Sequence, residues 1–189
     1  MHILTISGSL RAASTNTSLL RAVAKLVPAN VTVTRYDGLD DLPHFSPERD
    51  VDDAPGSVST LRAQLRAADA VLICTPEYAH GIPGVLKNML DWLVSSGEFV
   101  NKPTGVISAA TDGSYAYASL TETLLMMSAD MVEGASLIVS FVRTKVDKEG
   151  LITDAQTTVA LQAAVSALLG AVQQSATPST PSTGPIATY

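Results

Sequence analysis

Apolar positions along the chain follow two rhythms, short unbroken or alternating runs and stripes spaced three and four apart, and the two take turns. Residues 2–7 form an apolar run closed by Gly8, which predicts a strand buried on both faces. Leu19, Leu20, Val23, Leu26 and Val27 then recur at helical spacing until Pro28. A β-branched alternation over 31–36 predicts a second strand, nearer a sheet edge. Val58, Leu61, Leu65 and Ala68 mark a second helix, and 70–75 a third strand. The helix after it, 85–94, gathers Lys87, Asn88, Asp91 and Ser95 on one arc and leaves apolar residues over the rest. That apolar arc is wider than one sheet face requires, so part of it is expected to meet another subunit. A fourth strand is predicted over 104–109 and a fourth helix along Tyr117, Leu120, Leu124 and Met127. The fifth strand falls at 135–139, with 141–143 continuing it after a break. Thr153 and Gln156 read as a capping box for a last helix striped by Leu161, Val165, Leu168, Leu169 and Val172.

Five strands alternating with helices imply an α/β fold, a doubly wound, five-stranded parallel sheet with helices on both faces. The count suits the order 2-1-3-4-5, in which strands one and three lie side by side and their connections leave in opposite directions. One domain is expected over 1–174. From 175 to 189 the composition turns to Ser, Thr and Pro, which predicts a disordered tail. The irregular run 37–56, rich in Asp, Pro and Gly, is too long for a simple connection and reads as mobile or as a lid, with His44 on the surface.

Charge narrows the partners. Lys and Arg number 12 against 18 Asp and Glu, net −6, and there is no basic run, so nucleic acid and anionic membranes are disfavoured. The N-terminus lacks a leader pattern and no stretch is read as reaching membrane-spanning length, which places the protein in the cytoplasm. The one cysteine, Cys74, lies in an apolar strand and reads as a buried small hydrophobe. With His2, His44 and His80 it shows no ligand spacing, and no metal is expected.

Both unusual loops follow the two strands that flank the switch point. After the first strand, Gly8, Ser9, Arg11, Ser14 and Asn16 bring a sharp turn, short polar groups and a planar cation to the start of a helix, a combination suited to phosphate. The same residues also suit an ordinary strand-to-helix turn capped by Ser14 or Asn16, with Arg11 in solvent. After the third strand, 75–84 combines two prolines, two glycines and Tyr78. Together they suggest a ligand with a phosphate at one end and a planar body at the other.

The pattern Gly-Ser-Leu-Arg-x-x-Ser-x-Asn at 8–16, Thr-Pro-Glu-Tyr at 75–78 and Pro-Gly-x-Leu-Lys-Asn-x-Leu-Asp-Trp at 83–92 resembles the NAD(P)H-dependent FMN reductase family of flavodoxin-like proteins. A Val146-Asp147-x-x-Gly150-x-x-x-Asp154 segment extends the resemblance to about residue 172. It implies non-covalent FMN, with Ser9, Arg11, Ser14, Asn16 and Thr17 holding the phosphate. Pro76, Glu77, Tyr78 and Ala79 would line the flavin ring, largely through backbone groups, and Ser108 with its turn would close the other side. Two positions depart from the family: Ala79 stands where Asn is common, and Ala109 and Ala110 where a glycine pair is common.

The resemblance further implies that NADPH or NADH passes hydride to flavin N5 and leaves. A quinone, free flavin, azo compound or metal oxyanion then takes its place in ping-pong fashion, with no catalytic side chain required. A homodimer, or a tetramer, would form through the helix 83–96. The competing readings are an FMN electron carrier reduced by a partner protein and a non-catalytic module that uses the nucleotide site for regulation. A dinucleotide dehydrogenase is disfavoured because Gly-x-Gly-x-x-Gly is absent after the first strand.

Overall fold

The structure is a computed structural model that describes residues 1–11, 13–51, 54–140, 144–147, 149 and 151–175. The expected strand continuation at 141–143 and, from 176 onward, the tail lie outside these residues. Strand β1 (His2–Ser7) leads through the first loop to α1 (Thr15–Leu26) and β2 (Thr32–Tyr36). Helix α2 (Gly56–Ala67), β3 (Ala70–Thr75), α3 (Gly84–Asp91), β4 (Pro103–Ser108) and α4 (Ser114–Met126) follow. The chain then makes two short strands, β5 (Asp130–Met131) and β6 (Leu137–Ile138), and ends in α5 (Ala155–Ser175).

All pairings in the sheet are parallel and the order is β2-β1-β3-β4-β5, with β6 also on β4. This is the expected order. One core buries Leu4, Ile6, Val71 and Ile73 under α2, α3 and α4, and the other buries Ile3, Leu72, Cys74 and Ile107 under α1 and α5. Alternation along each strand thus supplies both faces.

The fifth strand differs from expectation. Residues 135 and 136 are not strand, because the chain lifts into a single 3₁₀ turn (Glu133–Ala135) directly over Gly105. A side chain at 105 would meet the Ala135 carbonyl at 2.7 Å. At the break the Val106 N–H donates to Ser136 Oγ (3.2 Å) instead of to a strand carbonyl, so the buried amide stays satisfied.

Most of the apolar arc of α3 is covered within the chain, although Val94, just past the helix, stays half exposed. Leu86, Met89, Leu90, Trp92 and Leu93 are all fully buried within one chain. They pack into the core with the sheet and α2, and the segment 37–50 is bonded across the end of the helix. Asn88 Nδ2 and Trp92 Nε1 both donate to the Pro43 carbonyl (3.0 and 2.8 Å), and Phe45 N–H donates to Asn88 Oδ1 (2.8 Å). Phe45 meets Trp92 edge-on at 5.2 Å. Asp50 pairs with Arg62 (2.7 Å) and accepts from Ser95 (2.6 Å), which hold its carboxyl below the usual range. His44 is exposed.

Two smaller expectations are also corrected. Helix α5 is capped by Asp154, whose Oδ2 accepts from Thr157 N–H (2.8 Å) and Oγ (2.6 Å). Thr153 is engaged elsewhere, its hydroxyl on the Thr144 carbonyl, in a small antiparallel bridge between Val146 and Ile152. One stretch does reach membrane-spanning length: α5 has 21 residues and no charge. It docks on the sheet through Leu161, Ala164, Val165 and Leu168.

Candidate functional site

Loop 8–14 leaves β1 at the carboxyl edge of the sheet, where Gly8 N–H donates to the Cys74 carbonyl (2.8 Å). Space is tight there: a Cβ on Gly8 would lie 3.0 Å from Leu86 Cδ2 and 3.2 Å from Thr75 Oγ1, so either neighbour would have to yield. The loop therefore rests against the third strand and α3, as the switch-point topology demands.

The predicted phosphate holders divide by role. Ser14 sits at the N-cap of α1, 3% exposed, yet makes no cap bond, and its Oγ has no hydrogen-bond partner among the described residues. A buried hydroxyl without a partner costs free energy that a bound acceptor recovers. Ser9 Oγ accepts from Arg11 N–H (3.3 Å), which shapes the loop. Arg11 is exposed and borders three clefts around it. Thr17 Oγ1 donates to Ser7 Oγ (3.1 Å) at the base of the loop. Asn16 is buried, and its Oδ1 accepts from the Cys74 thiol (3.2 Å). Burial pushes the Cys74 thiol up, so it stays protonated and donates. That bond ties α1 to β3.

The second loop is a two-residue hairpin. Tyr78 and Gly81 exchange both backbone bonds (2.9 and 3.0 Å), with Ala79 and His80 at φ of 51° and 57°. Pro76 is buried at its root, while Tyr78, Ala79 and His80 are exposed. Glu77 turns away from the hairpin: its Oε2 accepts from Ala116 N–H (2.9 Å) in the first turn of α4. The His80 ring stacks on Tyr115 at 4.1 Å, 13° from parallel. The loops after β3 and β4 are thus clasped at two points. Ser108 is fully buried and its hydroxyl donates to the Gly113 carbonyl (2.7 Å), so it shapes the turn instead of facing the cleft.

Between the loops lies a cleft of ≈ 570 Å³ lined by Gly8, Leu10, Arg11, Tyr78, Pro83 and Val85, with His44 at one side. Its surface is chiefly apolar. A second cavity, ≈ 240 Å³, opens on the β2 side of loop 8–14 among Ser9, Thr17, Arg21, Arg35 and Asp37. Sequence reading passed over Arg21, Arg35 and Tyr115, since each arrives from a separate element and no local motif marks them.

A family model described as NADPH-dependent FMN reductase matches residues 1–144. The chain belongs to this family. The NAD(P)H-dependent FMN reductase of Pseudomonas aeruginosa is 31% identical over 174 residues, 89% of this chain and 93% of that protein. The quinone reductase of Escherichia coli is 28% identical over 155 residues, 79% and 82% of the two. The flavoenzyme NAD(P)H:(acceptor) oxidoreductase FerB from Paracoccus denitrificans superposes with a TM-score of 0.82 at 28% identity, covering 92% of this chain and 97% of that one.

The site of this FMN reductase family member fits the cofactor. The unpartnered Ser14 hydroxyl, the uncapped first turn of α1 and the Arg11 guanidinium suit a phosphate dianion. The apolar cleft beside Tyr78 suits a flat ring.

Proposed function

We propose that the protein is an FMN-dependent NAD(P)H oxidoreductase that reduces a small planar acceptor, a quinone being the favoured class. The observation that carries this reading is the buried, unpartnered Ser14 hydroxyl at a helix start that opens beside an apolar, tyrosine-walled cleft. When bound, FMN supplies hydride exchange between a nicotinamide and the acceptor. The chain's residues do the holding: Ser9, Arg11, Ser14 and Thr17 toward the phosphate, with Asn16 fixing the helix behind them through Cys74. Main-chain groups of 76–79 edge the ring. Glu77 and the His80–Tyr115 stack keep that edge in register with α4. The quinone reductase and acceptor oxidoreductase names among the relatives support the acceptor class.

The test is Ser14→Ala. Without FMN the variant should be as stable as the parent, because it removes a buried polar group that has no partner. Its FMN affinity should fall about tenfold or more, the worth of one hydrogen bond to a charged acceptor. Equal FMN affinity in both proteins would sink the phosphate assignment. Anaerobic addition of NADPH or NADH to the FMN-loaded protein should bleach the flavin absorbance, and a quinone should restore it. Tight FMN binding without bleaching would favour the electron-carrier reading instead.

The protein is proposed to act in the cytoplasm, consistent with a lone buried thiol. A homodimer is proposed as well, through the helix 83–96, where Val94 stays half exposed, and the outer face of α4. Tyr115, Leu125 and Met126 there are all more than half exposed, and Ala118 lies between them with Glu122 as the one charged side chain of the face. An apolar strip of this kind on a helix already buried along its other side suits contact with a second copy.

A further inference from the structure

We infer that the ≈ 240 Å³ cavity on the β2 side of loop 8–14 is a second phosphate subsite, the seat of the adenosine 2′-phosphate of NADPH, and that it sets preference for NADPH over NADH. The inference rests on the proposed use of NAD(P)H. The cavity is lined by Arg11 from the loop, Arg21 from α1 and Arg35 from β2, with the Ser9 and Thr17 hydroxyls between them. Three of the chain's seven arginines meet here although the protein carries a net charge of −6. Neither Ser14 nor Asn16 lines it, and Arg21 reaches it from one helical turn beyond Thr17. Ser9, Arg11 and Thr17, which are proposed to face the FMN phosphate, line it too, so it adjoins the FMN phosphate cradle and shares a wall with it, while Arg21, Arg35 and Asp37 belong to this cavity. Leu10 and Arg11 line both this cavity and the apolar cleft, so one extended ligand can lay a ring in the cleft and a phosphate among the arginines.

The size and the charges both fit a single phosphate. A site that buries a whole drug-sized ligand takes about 300–1,000 Å³, more than this cavity offers. Facing the arginines are Asp37, which pairs with Arg35, and Asp40. Tyr36 adds no negative charge: burial, aided by Asp41, pushes its hydroxyl up to about 12, and it donates to the Gly38 carbonyl (3.1 Å). The Arg35 side chain is 34% exposed and that of Asp37 68%, so their pair is weak and solvent-screened. A phosphate dianion offers the guanidinium fork more charge and a matching geometry, and takes Arg35 from Asp37.

The experiment is calorimetric titration of the protein, with and without FMN, using adenosine 2′,5′-bisphosphate, adenosine 5′-monophosphate and inorganic phosphate. The bisphosphate should bind at least about tenfold tighter than the monophosphate, the scale of a charge-assisted bidentate contact. Arg35→Gln and Arg21→Gln should each weaken it, and Asp37→Asn should strengthen it, with FMN affinity unchanged in all three. KM for NADPH should rise in Arg35→Gln while that for NADH stays. The assignment is overturned if the two nucleotides bind alike, or if Arg35→Gln and Asp37→Asn shift binding in the same direction, as a purely structural pair would. Inorganic phosphate matching the bisphosphate would also overturn it, by making this a bare anion site. Failure of the parent to bind FMN would remove the flavin reading alone, since the FMN-free titration still decides the cavity.

Discussion

Ala79 and His80 hold two successive left-handed conformations in the hairpin that walls the apolar cleft. The turn geometry demands them, since a two-residue loop closed by both Tyr78–Gly81 bonds twists correctly only with positive φ at its centre. A Cβ at such φ costs about 1–2 kcal/mol, and asparagine tolerates it better than alanine. Position 79 is thus one where the backbone itself favours asparagine over alanine. Ala79→Gly should stabilise the protein by about 0.5 kcal/mol, the strain relieved being partly offset by a freer unfolded chain. Ala79→Asn should gain as much or more. Urea melts of the three proteins measure this directly, and a loss of stability in both variants would refute it. The candidate residues were legible from the sequence, but the bonds they make within the chain were not. Asn16 and Ser108 each bond to another part of the chain, whereas Ser14 is left without a partner among the described residues.

Helix α4 begins with a borrowed cap. Gly113, at φ 88°, offers no side chain, and the Glu77 carboxylate reaches across from the neighbouring loop to the Ala116 N–H. Negative charge at a helix start is favourable, so Glu77→Ala should lower stability by about 1 kcal/mol, and Glu77→Gln by only a few tenths. Thermal melts should show a drop of about 2–4 °C for the alanine variant. Helix α5 carries its own cap in Asp154, whose carboxyl is held below its ordinary value by the Thr157 hydroxyl and N–H. The depressed value fixes the sign. Its contribution is present above the ordinary carboxylate range and is lost as pH falls through the lowered value. Asp154→Ala should therefore melt earlier than the parent at pH 7 and converge with it in acid; parallel curves would refute the cap. A capping pattern at 153–156 marked the right place but the wrong residue, because Thr153 was already bound to Thr144 across the hairpin. Only non-local pairing could reveal that.

Assembly turns on which apolar surface remains once the chain has folded on itself. The segment 37–50 is bonded across the end of α3 through Pro43 and Phe45, and the apolar surface left exposed includes Val94, just past that helix, and the outer strip of α4. Light scattering should report a dimer for the parent, and Leu125→Lys with Met126→Lys should run at the mass of one chain. A monomeric parent would rule the dimer out. The Leu-Lys-Asn-x-Leu-Asp-Trp motif gains a structural explanation on the same ground: Asn88 and Trp92 both hold Pro43, and Lys87 pairs with Asp91 one turn on.

The alternation of runs and stripes determined the parallel sheet, its order and the two loops at the switch point, because strand and helix periods are local and the crossover rule admits few topologies. Local motifs likewise marked the family. Tertiary structure alone decided which helix face stays exposed, that the fifth strand breaks over Gly105, and that Arg21 and Arg35 join Arg11 at one cavity. Each of these depends on residues tens of positions apart meeting at one point. No periodicity along the chain encodes where a strand end and a helix turn arrive in space.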